Sequence, residues 1–115
     1  MRIEDARILV VEDNETLRSM LGRSLTSLGA ASFELVADAE QAQALLSAGT
    51  EFDILLSDIR LPGMDGAHLA RWVQAECPQV HIILQTAYSN YDELPFRLLK
   101  KPYGLEELRR AIESV

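Results

Sequence analysis

Cysteine and long apolar runs are what this sequence has least of. Its 115 residues include one cysteine, Cys77, so the chain can form neither an internal disulfide nor a metal site built from cysteines alone. No apolar stretch approaches the roughly 20 residues that a helix needs to cross a membrane. The sequence therefore predicts neither a disulfide-stabilised scaffold nor a membrane-spanning protein.

Basic residues are also scarce. Eleven Lys and Arg stand against 18 Asp and Glu, which gives a formal net charge of −7. Nucleic acids and anionic membranes attract basic surfaces, so this excess of acid argues against direct binding to either. It is compatible with a site for a cation.

Length and composition favour one globular domain over residues 1–115. Apolar residues make up 48% of the chain and charged residues 25%, which is ordinary for such a domain, and the chain is long enough to bury a core. Its first residues include Glu4 and Asp5, where an export signal needs an apolar segment. We therefore expect a cytoplasmic location.

The run from Asp53 to Gly66 organises the rest of the chain. It opens with a short apolar segment that is typical of a fully buried central strand. The segment ends on a carboxylate, Asp58, and two turn pairs, Pro-Gly and Asp-Gly, follow it. A carboxylate at the end of a buried strand is costly unless a cation meets it.

Strands and helices are predicted to alternate along the chain. Besides residues 53–58, apolar runs predict strands at 7–11, 80–85 and 96–100, and the alternation of residues 32–36 predicts an edge strand. Alternation of this kind indicates a parallel sheet with helices on both faces and right-handed crossovers. Residues 87–95 are too few for the roughly 10–12 residues of a normal crossover, so we expect a fourth helix of at most a turn or two in an irregular, mobile segment.

Two helices carry apolar residues at helical spacing, and we expect these residues to face the core. The first helix carries Leu17, Met20, Leu21, Leu25 and Leu28. The last helix carries Leu105, Leu108, Ala111, Ile112 and Val115.

Polar side chains follow the predicted strands at the point where each strand ends. Glu12 and Asp13 follow the first strand, and Asp58 closes the third. Thr86 follows the fourth strand and Lys101 the fifth. The carboxyl ends of parallel strands share one edge, where open parallel sheets bind ligands, so we expect these residues to be neighbours.

Three carboxylates at this edge require either protonation or a cation. At about 5 Å and an effective dielectric of about 20, each pair repels by on the order of 3 kcal/mol. Oxygen ligands without a nearby histidine or thiol favour Mg²⁺. We therefore predict a Mg²⁺ site that includes Glu12, Asp13 and Asp58.

The same side chains suit phosphoryl transfer to Asp58. Carboxylates act as nucleophiles in aspartyl-phosphate chemistry, and phosphoryl transfer needs mainly positioning and charge neutralisation. The amine of Lys101 would neutralise charge together with the metal, and the Thr86 hydroxyl could donate a hydrogen bond. We predict Asp58, Thr86 and Lys101 as the reacting residues.

With these residues in view, the chain resembles the receiver domain of two-component response regulators. The resemblance covers the whole chain. It rests on the acidic pair Glu12-Asp13, on Asp58 within Asp-Ile-Arg-Leu-Pro-Gly-Met-Asp-Gly, on Thr86-Ala87 and on Lys101-Pro102. It implies a flavodoxin-like (βα)5 fold, a doubly wound parallel sheet with the strand order 2-1-3-4-5.

The resemblance also implies partners and residue roles. A sensor histidine kinase or a phosphotransfer protein would donate a phosphoryl group from a phosphohistidine to Asp58, and the change would control an output domain or target protein of unknown identity. Asp13 would bind Mg²⁺ directly, Glu12 through water, and the main-chain carbonyl of Arg60 would be a further ligand. We expect a phosphoacceptor that assists its own phosphorylation and dephosphorylation, not an enzyme.

Two features depart from the family pattern. Receivers usually carry Tyr or Phe three positions before the lysine, as a switch that turns inward on phosphorylation, and here that position is Leu98. The short segment 87–95 is similar to that of an atypical subgroup of mostly stand-alone receivers in alphaproteobacteria, which have a reduced fourth helix. We therefore expect an order–disorder change in this segment, not an aromatic rotation, to transmit the signal.

Three alternatives differ in testable ways. A haloacid-dehalogenase-like phosphatase also uses Asp, Thr and Lys around Mg²⁺, but it needs a second Asp where this chain has Arg60. A flavodoxin needs a phosphate loop rich in Thr, Ser and Gly after the first strand, where this chain has Glu12-Asp13-Asn14. A pseudo-receiver would bind its partner without phosphorylation, and the intact residue set argues against it.

Overall fold

Strands and helices alternate through the part of the chain that the structure describes. The computed structural model describes residues 1–88 and 94–115. The strands are β1 (Arg7–Val11), β2 (Ser32–Val36), β3 (Ile54–Asp58), β4 (His81–Thr86) and β5 (Arg97–Lys100). The helices within these residues are α1 (Glu15–Ser27), α2 (Ala39–Ser47), α3 (Gly66–Glu76) and α4 (Leu105–Glu113), and a 3-10 turn at Ile3–Asp5 precedes β1.

The five strands form one parallel sheet in the order β2-β1-β3-β4-β5. This confirms the predicted order 2-1-3-4-5 and the flavodoxin-like class. After β1 the chain adds β2 on one side of it, and after β2 it crosses back to add β3 on the other side of β1. The direction in which strands are added therefore reverses between β1 and β3. Their carboxyl ends flank the crevice where sheets of this class bind ligands.

The sheet is covered on both faces, as the alternation predicts. Ile8 and Val10 of β1 pack in a cluster with α1 and α4, whereas Leu9 and Val11 pack with α2 and α3. All five residues of β3 are buried, because a central strand has a helical layer on each side. This explains why Ile54, Leu55 and Leu56 of β3 are consecutive apolar residues without alternation.

Short polar side chains fix where three helices begin. Asn14, Asp38 and Asp65 each accept a hydrogen bond from the backbone N–H three residues later, at 3.0, 2.8 and 2.8 Å. Such caps satisfy N–H groups that have no partner within the helix. They hold the loops at the carboxyl edge of the sheet short and ordered.

Three leucine and methionine positions differ from the predicted core. Leu17 and Met20 of α1 are 41% and 53% exposed, and Leu105 of α4 is 47% exposed. Both helices start at the carboxyl edge, and the three exposed residues lie within the first two turns. Deeper along each helix the prediction is confirmed, since Leu21, Leu25 and Leu28 of α1 and Leu108, Ala111 and Ile112 of α4 are buried.

The reduced fourth helix is predicted between β4 and β5, mainly over residues 89–93, which lie outside the described residues. Most of the predicted order–disorder switch also falls on these residues. Leu98, in place of the aromatic residue, is half-buried beside the cluster of Ile59, Ala70 and Leu84. Within residues 1–88 and 94–115, each helix is too short or too polar to span a membrane.

Candidate functional site

One cleft at the carboxyl edge of the sheet brings the predicted site residues together. It has a volume of about 430 Å³. All six residues singled out from the sequence line it: Glu12, Asp13, Asp58, Arg60, Thr86 and Lys101. They come from four different strand ends, and the strand order alone makes them neighbours.

Asp58 ends β3 and is 6% exposed. Its backbone is held closely by the start of α3. A Cβ at Gly66 would lie 1.9 Å from the Asp58 carbonyl oxygen, and the Gly66 N–H donates to the Ile59 carbonyl at 2.7 Å. Glycine is the residue that fits this approach, so the sequence pair Asp-Gly fixes the position of the candidate nucleophile as well as the turn.

Lys101 joins two of the carboxylates. Its backbone N–H donates to the Thr86 carbonyl at 2.8 Å, which continues the pairing of β5 with β4. Its Nζ lies 2.7 Å from Asp58 Oδ1 and 3.2 Å from Glu12 Oε1. One half-buried ammonium group thus bridges two buried acids.

Burial and the neighbouring groups shift the pKa values of Asp58 and Glu12 in opposite directions. Burial, together with hydrogen bonding to Glu12, raises the pKa of Asp58 to about 7. Burial alone would raise the pKa of Glu12, but hydrogen bonds with Asp58 and the Asn14 N–H, together with the charge of Lys101, lower it. Burial alone would lower the pKa of Lys101, but its interactions with Asp58 and Glu12 raise it. Of these groups, Asp58 is therefore the one that takes up a proton as the pH falls through neutrality.

The acidic group has the composition of a magnesium site. Glu12, Asp13 and Asp58 each offer a carboxylate oxygen, and these oxygens all lie within 4.8 Å of one another. Glu12 and Asp58 are buried and Asp13 is exposed. Hard oxygen donors that are open on one side suit a cation that keeps part of its water shell. The single amine of Lys101 cannot balance three carboxylates, so the donor set fits Mg²⁺.

The opposite wall of the cleft carries Thr86, Tyr88 and Arg60. Thr86 ends β4, and its Oγ1 accepts a hydrogen bond from the Tyr88 N–H at 3.0 Å. The Arg60 guanidinium lies over the Tyr88 ring, 4.1 Å from the ring centre. The hydroxyl of Thr86 keeps its own proton for donation, and Arg60 and Tyr88 line the cleft as a cation–π pair.

Sequence reasoning missed two supports of the site. Arg18 of α1 donates to the Glu12 carbonyl at 3.0 Å and holds the acidic loop. Gln85 accepts a hydrogen bond from the Tyr103 hydroxyl beneath the cleft. No sequence signal identifies Arg18, but Gln85 closes an otherwise apolar run in a buried strand, and a buried amide needs a partner.

Comparison with known proteins identifies the family of this chain. A family model of the response regulator receiver domain matches residues 8–113. The DNA-binding transcriptional regulator NtrC of Escherichia coli (strain K12) is 34% identical over 113 residues, which cover 92% of this chain and 24% of that protein. The chain thus spans about a quarter of the length of this relative.

Solved structures agree in fold. The response regulator TrrA of Thermotoga maritima, solved in complex with Mg²⁺ and BeF, aligns with a TM-score of 0.86 at 28% identity, over 95% of this chain and 97% of that one. The receiver domain of an HD domain-containing protein from Pseudomonas fluorescens aligns with a TM-score of 0.84 at 30% identity, over 95% and 85%. By its family match, its fold and the acidic cleft at its sheet edge, the chain belongs to the receiver domains of two-component response regulators.

Proposed function

We propose that Asp58 accepts a phosphoryl group from the phosphohistidine of a sensor kinase or phosphotransfer protein, and that the modification controls an output partner. The observation that carries the proposal is the bridge from Lys101 Nζ to Asp58 at 2.7 Å and Glu12 at 3.2 Å, in a cleft that Thr86 also lines. A cation fixed beside a buried carboxylate, with a hydroxyl donor opposite, matches the needs of phosphoryl transfer.

The step balances as a displacement at phosphorus. A carboxylate oxygen of ionised Asp58 attacks the phosphorus, and the P–N bond of the phosphohistidine breaks with its electron pair remaining on the imidazole nitrogen. The free Lys101 N–H groups and the Thr86 hydroxyl neutralise the phosphoryl oxygens. With acetyl phosphate as donor, the P–O bond breaks and acetate leaves.

Mg²⁺ is the cofactor that the acidic cluster implies. Glu12, Asp13 and Asp58, with the main-chain carbonyl of Arg60, are the residues that would hold it. When bound, the ion supplies positive charge against the phosphoryl oxygens and favours ionised Asp58. The complex of TrrA with Mg²⁺ and BeF supports this choice of ion.

Several further assignments rest on the same proposal. Residues 1–115 form one receiver domain, and the chain is a phosphoacceptor rather than an enzyme with its own substrate turnover. Arg60 stands where a haloacid-dehalogenase-like phosphatase needs its second Asp, which argues against that alternative. The output partner and the cytoplasmic location stay predictions.

Intact-mass measurement tests the proposal. The protein, incubated with MgCl₂ and acetyl phosphate, should gain the mass of one phosphoryl group, and Asp58→Asn should gain none. Asp65→Asn is the matched control, because Asp65 caps α3 on an exposed loop, and it should gain the same mass as the unmodified chain. Absence of any gain in the unmodified chain would support a phosphorylation-independent binding module instead.

A further inference from the structure

A buried glutamine that lines the cleft, Gln85, forms a hydrogen bond with the half-buried Tyr103. The Tyr103 hydroxyl donates to Gln85 Oε1 at 2.5 Å. Gln85 is fully buried, at 0% exposure, and Tyr103 packs against the cluster that α1 and α4 form with the sheet. Because side chains alternate along β4, Gln85 lies on the face opposite Thr86, the next residue.

The Tyr103–Gln85 hydrogen bond is a second connection between β4 and the segment that carries Lys101. On one side, the Lys101 N–H bonds the Thr86 carbonyl. Two residues further along, the Tyr103 hydroxyl bonds Gln85. The backbone that carries Lys101 is therefore tied on both sides to consecutive residues of β4, after which the chain leaves the sheet for α4.

Protein atoms satisfy only part of this polar pair. Among the described residues, Gln85 Nε2 is buried without a hydrogen-bond partner. An orphaned buried donor is destabilising, whereas an apolar pair of the same shape would fill the site without that cost. The polar pair joins β4 to the segment after Lys101 by a hydrogen bond, which an apolar pair would not supply.

We propose that the Tyr103–Gln85 hydrogen bond is a clamp that positions Lys101 over Asp58 for phosphoryl transfer, an inference that rests on the proposed function. Lys101 has a flexible four-carbon stem, so its Nζ reaches both acids reproducibly only if its backbone is fixed. Tyr103 and Gln85 are positioning residues in this proposal, because they act through the backbone that carries Lys101. The pKa of Tyr103 is raised by burial and by the charges of Asp58 and Glu12, which agrees with its place directly beneath the site.

A set of four proteins separates positioning from simple packing: the unmodified chain, Tyr103→Phe, Gln85→Leu, and the double variant. For each, the rate of Asp58 phosphorylation by acetyl phosphate with Mg²⁺ and the unfolding midpoint in urea are measured. Tyr103→Phe keeps the ring and loses the hydroxyl, so its rate should fall about three- to tenfold, the factor that one hydrogen bond is worth. The double variant replaces both polar partners and should regain the urea midpoint but stay slow.

Removing Lys101 tests whether the clamp affects the phosphorylation rate through that side chain. Adding Lys101→Ala should slow the unmodified chain more than the double variant, because the clamp acts through that side chain. Thr26→Val is the matched control: it removes a hydroxyl hydrogen bond of 2.9 Å to the Gly22 carbonyl, within α1, and should leave the rate unchanged.

Two results would overturn the clamp. One is an unchanged rate in Tyr103→Phe. The other is a double variant that regains its rate together with its stability, which would make the pair a packing feature. If Tyr103→Phe does not fold, the double variant still decides between these readings. Failure of the proposed function is a different outcome, since the unmodified chain would then gain no phosphoryl group at all.

Discussion

The two ends of strands β1 and β3 carry ionic clusters of opposite character. At the amino end, the Arg7 guanidinium bonds both oxygens of Asp53, at 3.1 and 3.0 Å, and Glu51 at 2.9 Å, near solvent. At the carboxyl end, Lys101 faces Glu12 and Asp58 in a buried cleft.

The difference lies in burial and in how the charges are matched. A fork-shaped guanidinium satisfies the Asp53 carboxylate completely, and hydrogen bonds from Arg7 lower the pKa of Asp53. At the other end, burial raises the pKa of Asp58 to about 7, and three carboxylates share one nearby amine. The amino-end cluster is a satisfied link between strands, whereas the carboxyl-end cluster has more carboxylates than Lys101 alone can pair with. The proposal of a cation site rests on this difference.

The largest effect should come from removing the cation at each end in turn. Lys101→Met removes the charge that meets the developing phosphoryl oxygens, so the rate of Asp58 phosphorylation by acetyl phosphate should fall about 10²- to 10³-fold. Arg7→Met, the matched change at the amino end, should leave that rate unchanged. Equal losses in both variants would mean that the two clusters do not differ in function.

Next in size is the effect of adding a methyl group beside Asp58. Gly66→Ala places a Cβ 1.9 Å from the Asp58 carbonyl oxygen, and the forced shift of backbone should lower the free energy of unfolding by about 3 kcal/mol. Gly104→Ala is the control, because its Cβ meets nothing nearer than 3.7 Å. Urea unfolding measures both, and a Gly66→Ala protein as stable as the control would contradict the close approach.

The two clusters should respond to pH with opposite sign. The raised pKa of Asp58 means that, without Mg²⁺, the folded state holds a proton between pH 3.8 and about 7 that the unfolded state has lost. In that window stability should fall as pH rises, by on the order of 1 kcal/mol per pH unit. The lowered pKa of Glu12 acts only below its ordinary value of 4.5, so Asp58 dominates above it.

Asp53 supplies the opposite case. Its pKa is lowered from 3.8, so its contribution is present above that pH and is lost as the pH falls further. Urea unfolding from pH 3 to 8 in EDTA should give a falling slope that Asp58→Asn removes and Asp53→Asn leaves in place. A slope that survives in Asp58→Asn would assign it to another group.

The smallest effect concerns the stack over the cleft. The Arg60 guanidinium covers the Tyr88 ring at 4.1 Å, and we expect this bulk to hinder attack of water on the phosphorylated aspartate. Tyr88→Ala should speed dephosphorylation about two- to fivefold, the factor that an exposed cation–π contact is worth, whereas Tyr88→Phe keeps a ring and should change little. Loss of label over time measures this, and equal rates in the two variants would rule out shielding by the ring.

Much of this molecule could be predicted from its sequence because the relevant signals are local. An apolar run predicted β1 at 7–11, and alternation predicted β2 at 32–36, both with the bounds that the structure has. The site followed from topology, since residues that end parallel strands meet at one edge whatever their distance along the chain. Glu12 and Lys101, 89 positions apart, contact each other for this reason.

What could not be predicted depends on contacts between side chains. The periodicity of α1 identifies its apolar face but not where the sheet beneath it ends, so Leu17 and Met20 were wrongly expected in the core. The bonds from Arg18 to the acidic loop and from Tyr103 to Gln85 depend on side-chain geometry that no spacing encodes. The predicted reduction of the fourth helix stays a prediction, because residues 89–93 lie outside the described part of the chain.

A titration with Mg²⁺, followed residue by residue through backbone amide chemical shifts, tests the central contrast most directly. If the carboxyl-end cluster requires a cation and the amino-end cluster does not, the amides of Asp13 and Ile59 should shift and saturate while those of Arg7 and Asp53 stay constant. Shifts of similar size at both ends, or none at Asp13 and Ile59, would contradict the account.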